Sequence, residues 1–568
     1  MTARIALVAD PDGHGGRLQR LAGDGSPAGP PEQHHDLAAA VAAAEAGEQP
    51  RWVWPATDAV YPGLLPQRVA RCHDLALVEP LLLGQEGRYG HPRSLGAAWA
   101  RVKGLPVPED RPDSGAADSH DQPSLFRPDR HQLPPGTDPL RAVVEVHADQ
   151  QRRVARLEHP DRMRLLCAAE SAGALAAAEM AHDGLPWRAD IHDELLTRLL
   201  GPRPPAGSRP RLLGELAAEV QRALGGRPFN PDSHAQVLRA FADQGIRLPS
   251  TRSWVLKQVD HPAAALMLRY KELSRIHTAH GWAWQENWAR GGRFRPEYVV
   301  GGVVSGRWAS RGGGALQIPR MLRGAVVADP GWSLVVADAA QLEPRVLAAL
   351  SGDAGLARAA AQGDLYEALA AIAFAGDRAR AKLGLLGAMY GQTSGEVGPL
   401  LTVLRRRFPA AMAYVEAAAR TGEDGGVVRS HLGRICPPPS APDPAGEPAE
   451  AEAAAEPDGD RLLRAARARG RFTRNFVIQA SAAEWALALL AALRRRLADI
   501  GPDATGGRPH LVFFQHDEVV VHVPTQYADL AAAAVGAAAE EARTLVFGAT
   551  PVRMPLETHV VDCYADAK

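Results

Sequence analysis

Residues Trp332–Arg345 read WSLVVADAAQLEPR, a buried-strand signal over Ser333–Val336 that leads into Asp338, with a helix beginning soon after. On its own, an aspartate in this place also fits a helix cap, because its carboxylate accepts the free N–H groups of a first turn. A second stretch, Leu511–Val523 (LVFFQHDEVVVHV), places two apolar strands around His516-Asp517-Glu518 and predicts a β-hairpin over His510–Val523. On its own, that turn also fits an ordinary acidic surface turn. Together, a strand end and a hairpin tip can set two carboxylates side by side on one sheet. Their hard oxygen donors suit two Mg²⁺ ions, with Mn²⁺ able to substitute, and such a pair would stabilise the attacking and leaving oxygens of an in-line displacement at phosphorus.

Between these stretches lies Asp377–Gln392, DRARAKLGLLGAMYGQ. Arg378, Lys382, Leu386 and Tyr390 recur every four residues and so drift slowly around one helical face. Two cations followed by an apolar and an aromatic side chain can grip a triphosphate and stack on its base. An amphipathic helix with a solvated basic edge has the same pattern. Gly384, Gly387 and Gly391 weaken the helix by propensity, which suits an element that is closely packed or that moves.

The chain of 568 residues is 46% hydrophobic, enough for several domains, and its net charge of -1 does not mark a nucleic-acid binder. Its lysines are only Lys103, Lys257, Lys271, Lys382 and Lys568, so a lysine inside a motif is unlike the many arginines around it. Cys72, Cys167, Cys436 and Cys563 lie far apart, which argues against disulfides or a zinc site and fits a reducing cytoplasm. No stretch is expected to reach membrane-spanning length, so a soluble, cytoplasmic protein is expected, and it is taken to be a monomer.

Residues 1–104 alternate strand and helix signals (Arg4–Ala9, Leu37–Ala44, Arg51–Trp54, Asp74–Leu83) and predict a small α/β domain. The Pro-, Asp- and Ser-rich stretch 105–140 predicts a flexible linker, and 141–169 the helical end of that domain. Helical patterns follow, with a long run over Val154–His182. Strand signals begin near Tyr298 (YVVGGVV), helices fill 344–422, and 437–460 is an acidic low-complexity insertion expected to be disordered.

In this order the three stretches resemble motifs A, B and C of the family-A DNA polymerases, the bacterial DNA polymerase I family. Asp338-x-x-Gln341-x-Glu343-x-Arg345, Arg378-x3-Lys382-x7-Tyr390-Gly391 and His516-Asp517-Glu518 carry the match. Ser305-Gly306-Arg307 with Leu316-Gln317-Ile318-Pro319, and the Arg471, Asn475, Gln479 spacing, extend it. Phe229-Asn230 and Arg269–Leu273 resemble thumb sequences, so the likeness covers about residues 170–568. It implies a multidomain α/β plus α+β protein, in which an exonuclease-like (RNase H-like) α/β domain precedes a right-hand polymerase. The thumb would be 170–297, the palm 298–350 and 476–568, and the fingers 351–475.

The resemblance also implies the roles of individual residues. Asp338 and Asp517 would bind the metals, with Glu518 supporting them and Lys382 protonating the leaving pyrophosphate. Arg378 and Lys382 would hold the triphosphate; Gln341, Leu386 and Tyr390 would line the nucleotide site, and Glu343 would exclude a ribose 2′-hydroxyl. Arg307, Gln317, Arg345, Arg471, Asn475, Gln479 and His516 would contact primer-template DNA. The implied reaction is template-directed addition of dNTPs to a primer 3′-hydroxyl, in repair or gap filling. Ala339-Ala340, Pro344, Tyr366 and Leu386 depart from the family pattern, Leu386 replacing a large aromatic, and predict altered sugar discrimination.

The family's proofreading exonuclease needs a D-x-E strand, a second Asp and a Y-x3-D helix. Here Asp10, Asp12, Asp58 and Asp149 stand in order, but the strand pair is D-x-D and Glu145 replaces the tyrosine. A degenerate 3′–5′ exonuclease with weak or lost activity is expected, with no 5′-nuclease domain. Gln122–Phe126 (QPSLF) resembles a peptide that docks on bacterial sliding clamps. Arg461–Arg474 carries six arginines in fourteen residues and is expected to be a phosphate-gripping stripe. The competing readings are a single-subunit RNA polymerase and a catalytically inactive DNA-binding scaffold. Glu343 and Tyr390-Gly391 favour DNA synthesis over the first, and the intact Asp338, Asp517, Arg378 and Lys382 disfavour the second.

Overall fold

Continuous apolar runs build the central strands of the N-terminal sheet. Ile5 and Leu7 face one side of this sheet with Trp52 and Trp54, while Ala6 and Val8 face the other with Val53, so both faces are buried in separate cores. The computed structural model describes residues 2–11, 13–111, 132–205, 207–311, 317–392, 397–439 and 458–567, without the side chains of 458–461. Asp12, Gln122–Phe126 and most of the acidic insertion lie outside the described residues.

The N-terminal sheet has five strands, in the order Glu32–His34, Gly16–Leu21, Arg4–Ala9, Arg51–Trp54, Arg71–Asp74. Its central strand pairs antiparallel with Gly16–Leu21 and parallel with Arg51–Trp54. Helix Leu75–Gln85 starts at Asp74, whose carboxylate accepts the Leu77 N–H at 2.9 Å.

Three expectations need correction. The run Val154–His182 is two helices, Pro139–Ala155 and Pro160–Asp183. Pro160 disfavours helical backbone at the residue before it, and it suits the first turn of a new helix. The strand near Tyr298 is only Glu297–Val299, because the chain turns at Gly301, with φ 64. The ends of the 105–140 stretch are anchored: Asp110 accepts the backbone N–H groups of Arg93 (2.7 Å) and Ser94 (2.9 Å), and Leu133 is buried in the domain core.

The chain divides into two units. The first comprises Met1–His182, Tyr298–Ala309 and Val335–Val560. It holds the N-terminal domain, the helices from Leu342–Ser351 to Pro409–Glu423, and a helix of 43 residues, Asp458–Ile500. The four-stranded sheet that carries both aspartates has the order His510–Gln515, Glu518–Pro524, Trp332–Ala339, Leu556–Val561. The second unit comprises Asp183–Glu297, Ser310–Leu334 and Val561–Lys568. It is mainly helical, with Trp187, His192, Trp284 and Phe294 packed edge to face.

The 43-residue helix also corrects the expectation about membranes. Its Leu462–Ile500 portion is long and apolar enough to cross one by length and composition, but 89% of its most apolar window is buried inside the protein. Those residues are the core of the first unit, as with Trp485, Leu489 and Leu493.

Arg494 ties this helix to the N-terminal domain. Its guanidinium donates to Glu179 (2.8 Å), to the Val69 carbonyl (2.5 Å) and to the Ala70 carbonyl (3.1 Å), while the Tyr61 hydroxyl donates to Glu179. Burial pushes the Glu179 carboxyl up, but Arg494, with Arg68 and the Tyr61 hydroxyl, outweighs it and holds the group below its ordinary range. Replacing Arg494 by Met is expected to destabilise the protein by roughly 3–5 kcal/mol, since it strands a buried carboxylate. Denaturant unfolding of Arg494→Met checks this; a loss below about 1 kcal/mol, the worth of an exposed pair, would contradict it.

Candidate active site

One backbone hydrogen bond defines the site: the Ala339 N–H donates to the Asp517 carbonyl at 3.0 Å. Ala339 follows Asp338 at the end of its strand, and Asp517 sits in the two-residue turn between Gln515 and Glu518, which are register partners. His516 takes the left-handed conformation there (φ 56), which lets so short a turn reverse the chain. The apolar residues before Asp338 (Leu334–Ala337) and after Glu518 (Val519–Val521) are buried. The strands are therefore fixed and the acidic ends are held together.

The pair is electrostatically loaded. Desolvation, first, and then the Asp338 charge raise the Asp517 carboxyl from its ordinary 3.8 to about 6, with the Arg307 charge opposing the rise. Two hard, crowded carboxylates of this kind fit divalent cations, whose charge would relieve the repulsion. Among the described residues no group of three or more His, Cys, Asp or Glu side chains is arranged to hold a metal. The remaining ligands would thus be the substrate phosphates and water that Mg²⁺ customarily keeps.

Arg307, Gln341, Glu343, Tyr390, His516 and Asp517 line one cavity of about 290 Å³ together with Ala482 and Ala483. Glu343 accepts from Arg307 and, at 2.6 Å, from the Tyr390 hydroxyl. Arg307 follows a turn whose Gly306 has φ 84, and a Cβ there would lie 2.6 Å from Arg434 Nε. The turn is therefore closely seated and aims Arg307 at Glu343.

The helix Arg378–Tyr390 is capped by Asp377, which accepts the Arg380 N–H at 3.0 Å, and it ends at Gly391, with φ 74. A Cβ at Gly391 would lie 2.7 Å from Arg471 Cγ, so this helix end rests on the long helix. Arg378 and Lys382 lie over the ring of Tyr366, at 5.7 and 6.0 Å from its centroid. Leu386 is half-buried against the core. On the long helix, Asn475 and Gln479 are half-buried on the face that carries Ala482 and Ala483.

Some expected DNA contacts are structural instead. Arg345 is fully buried, and its guanidinium donates to the carbonyls of Ala340 (3.0 Å), Ala360 (2.6 Å), Arg553 (3.1 Å), Gln362 (3.4 Å) and Gly363 (2.5 Å), leaving nothing for DNA. The arginine stripe is likewise divided: Arg469 donates to the Pro437 carbonyl (2.6 Å) and buried Arg474 to the Ala388 carbonyl (3.1 Å), whereas Arg464, Arg467 and Arg471 are exposed. Gln341 accepts the Leu365 N–H (2.8 Å) and hydrogen-bonds Asp364, so it braces helix Leu365–Ala373 from the cavity wall. Gln317 is exposed and lies in the second unit, where Arg275 donates to it at 3.4 Å.

The exonuclease candidates have separate partners. Asp10 accepts from Gln33 (2.9 Å), Asp58 lies in the first turn of helix Thr57–Val60, and Asp149 pairs with Arg152 (3.2 Å) and Arg153 (3.6 Å). Glu145 is held by Lys103 (2.8 Å), Arg141 (3.0 Å) and the Trp99 indole (2.8 Å). Sequence reasoning missed Asp364, whose only sequence signal is that of a helix cap, and Ala482 and Ala483, whose small size carries no chemical signal.

Over its whole length the chain superposes on the POL domain of Pol1 from M. smegmatis, in complex with DNA primer-template and dNTP (TM-score 0.69, 19% identity, 96% of that chain covered). Its fold is accordingly that of a polymerase domain, mixed helix and sheet in several parts. The family model for DNA polymerase family A matches residues 210–562, and the chain belongs to that family. It is 29% identical over 384 residues to a thermostable DNA polymerase I of Thermus filiformis, and 30% over 168 residues to DNA polymerase I of Chloroflexus aurantiacus. These matches take in 61% and 25% of this chain, and 42% and 18% of those relatives, so the chain spans less than half of their length.

The loaded pair yields a prediction about stability. With its folded pKa raised to about 6 against an ordinary 3.8, the Asp517 carboxyl favours folding when protonated, and that contribution is lost as pH rises through 6. In EDTA at pH 7, Asp517→Asn is expected to stabilise the protein by up to about 3 kcal/mol, with the gain shrinking toward pH 5. Denaturant unfolding at both pH values checks this; no gain at pH 7 would remove the argument.

Proposed function

We propose that the chain is a DNA-directed DNA polymerase that extends a primer 3′-hydroxyl by template-directed nucleotidyl transfer. The observation that carries this reading is the backbone bond that brings the strand end at Asp338 beside Asp517, which lines a cavity together with Arg307, Glu343 and Tyr390. The solved neighbour, described as a complex with DNA primer-template and dNTP, supports the same substrates. In this reading residues 170–297 act as thumb, 298–350 and 476–568 as palm, and 351–475 as fingers.

Asp338 and Asp517 would hold two Mg²⁺ ions which, when bound, stabilise the attacking hydroxyl and the leaving pyrophosphate. The rest falls to the chain's own side chains. Arg378 and Lys382 orient the triphosphate, and Lys382 gives its ammonium proton to the departing pyrophosphate. Glu343, fixed by Arg307 and Tyr390, fills the space that a ribose 2′-hydroxyl would need. Tyr390 flanks the nascent base pair, while Asn475, Gln479 and His516 face the primer-template minor groove, where acceptors common to all pairs allow gripping without sequence preference. The N-terminal domain is weak or inactive as a nuclease in this reading, because cations engage both Glu145 and Asp149.

Primer extension with Mg²⁺ tests this directly. Asp338→Ala and Asp517→Ala are each expected to lose at least about a thousandfold in kcat, in line with removing a group that acts only in the transition state. Extension by either variant at wild-type rates would refute the assignment. Glu343→Ala is expected to admit ribonucleotides that the wild type rejects, measured as the ratio of kcat/KM for dNTP and NTP. Leu386→Phe is expected to lower the dNTP KM and shift dideoxynucleotide selection; unchanged values would show that position 386 does not touch the sugar.

A further inference from the structure

The two cations of the fingers helix are not equivalent. Among the described residues Lys382 makes no ion pair, whereas Arg378 is paired: its Nε and Nη2 both donate to Asp364 Oδ2, at 3.0 and 2.7 Å. Asp364 is not a loose surface anion. Its other oxygen, Oδ1, caps helix Leu365–Ala373 by accepting the Glu367 N–H at 3.0 Å, and Gln341 hydrogen-bonds it from the segment that follows Asp338. Gln341 adopts φ 58 and also accepts the Leu365 N–H at 2.8 Å, so the palm segment itself sets where this carboxylate stands. The Tyr366 ring completes the arrangement by lying under both Arg378 and Lys382.

A guanidinium presents the same planar fork to a carboxylate and to a phosphate, so one ligand excludes the other from the occupied edge. We propose that Asp364 is an internal competitor for the polyphosphate of the incoming nucleotide, occupying Arg378 in the nucleotide-free protein and yielding it only to a more highly charged anion. The proposal rests on the polymerase reading and adds a selectivity element to it. Tyr366 holds the released guanidinium beside Lys382, so the exchange needs only a small movement of Arg378. The pair is half-exposed, so its strength is that of a surface ion pair, a barrier that a triphosphate overcomes and that a single phosphate meets with fewer charges.

The test uses Asp364→Asn, which keeps an oxygen for the Glu367 N–H and a hydrogen-bonding group for Gln341 while removing the charge. Asp364→Ser, also a good cap, serves as a second variant. The dNTP KM in primer extension and the affinity for inorganic tripolyphosphate by calorimetry are both expected to improve about two- to fivefold, the worth of an exposed ion pair. In an Arg378→Gln background the same substitution is expected to change neither, since the competitor then has nothing to occupy.

Unchanged or weaker tripolyphosphate binding would overturn the proposal, and so would an equal gain in the Arg378→Gln background. Failure of both variants to fold would also overturn it, because the carboxylate would then be retained for the helix cap. A wild-type protein that extends no primer would instead sink the polymerase reading. The tripolyphosphate titration still judges Asp364 in that case.

Discussion

The site depends on the Ala339 N–H reaching the Asp517 carbonyl. That contact is a backbone ladder bond, indifferent to side-chain charge, and it forces together two carboxylates that repel each other in a desolvated place. The repulsion is borne by the surrounding sheet: the apolar residues flanking both acids are buried, and the strands cannot part without exposing them. Stability stored in the core of the first unit thus offsets an arrangement that is unfavourable by itself, as is usual where a site is built for a charged ligand.

The same economy of charge runs through the arginines. An arginine that is buried must satisfy its donors, and a fully buried guanidinium collects backbone carbonyls, as Arg345 does with five of them. Arg474 and Arg469 do the same on a smaller scale, leaving the more exposed members of the stripe facing solvent. The residue type is identical in the two cases. Only the neighbours decide whether a guanidinium braces the fold or faces solvent, where a phosphate can reach it.

The N-terminal domain applies this to carboxylates. Glu145 and Asp149 lie one helical turn apart, and each is neutralised by cations from its own helix or from helix Leu95–Lys103. Carboxylates so engaged serve the packing of the domain. Through Tyr61, Glu179 and Arg494, the domain is then fastened to the long helix that carries Asn475 and Gln479.

Much of this was legible in the sequence because the governing patterns are local. The apolar run before Asp338, the two-residue turn at His516-Asp517 and the four-residue spacing from Arg378 to Tyr390 each specify their element from nearest neighbours. The ordered conjunction of these motifs determined the family. What the tertiary structure alone decided is which of these side chains are available: Arg345 turned inward, Gln341 bracing a helix, Asp364 set on Arg378, and an apolar 43-residue helix buried as core. The reason is physical. Desolvation and hydrogen-bond satisfaction depend on atoms brought near from distant parts of the chain, and a linear pattern of residue types carries no record of that proximity.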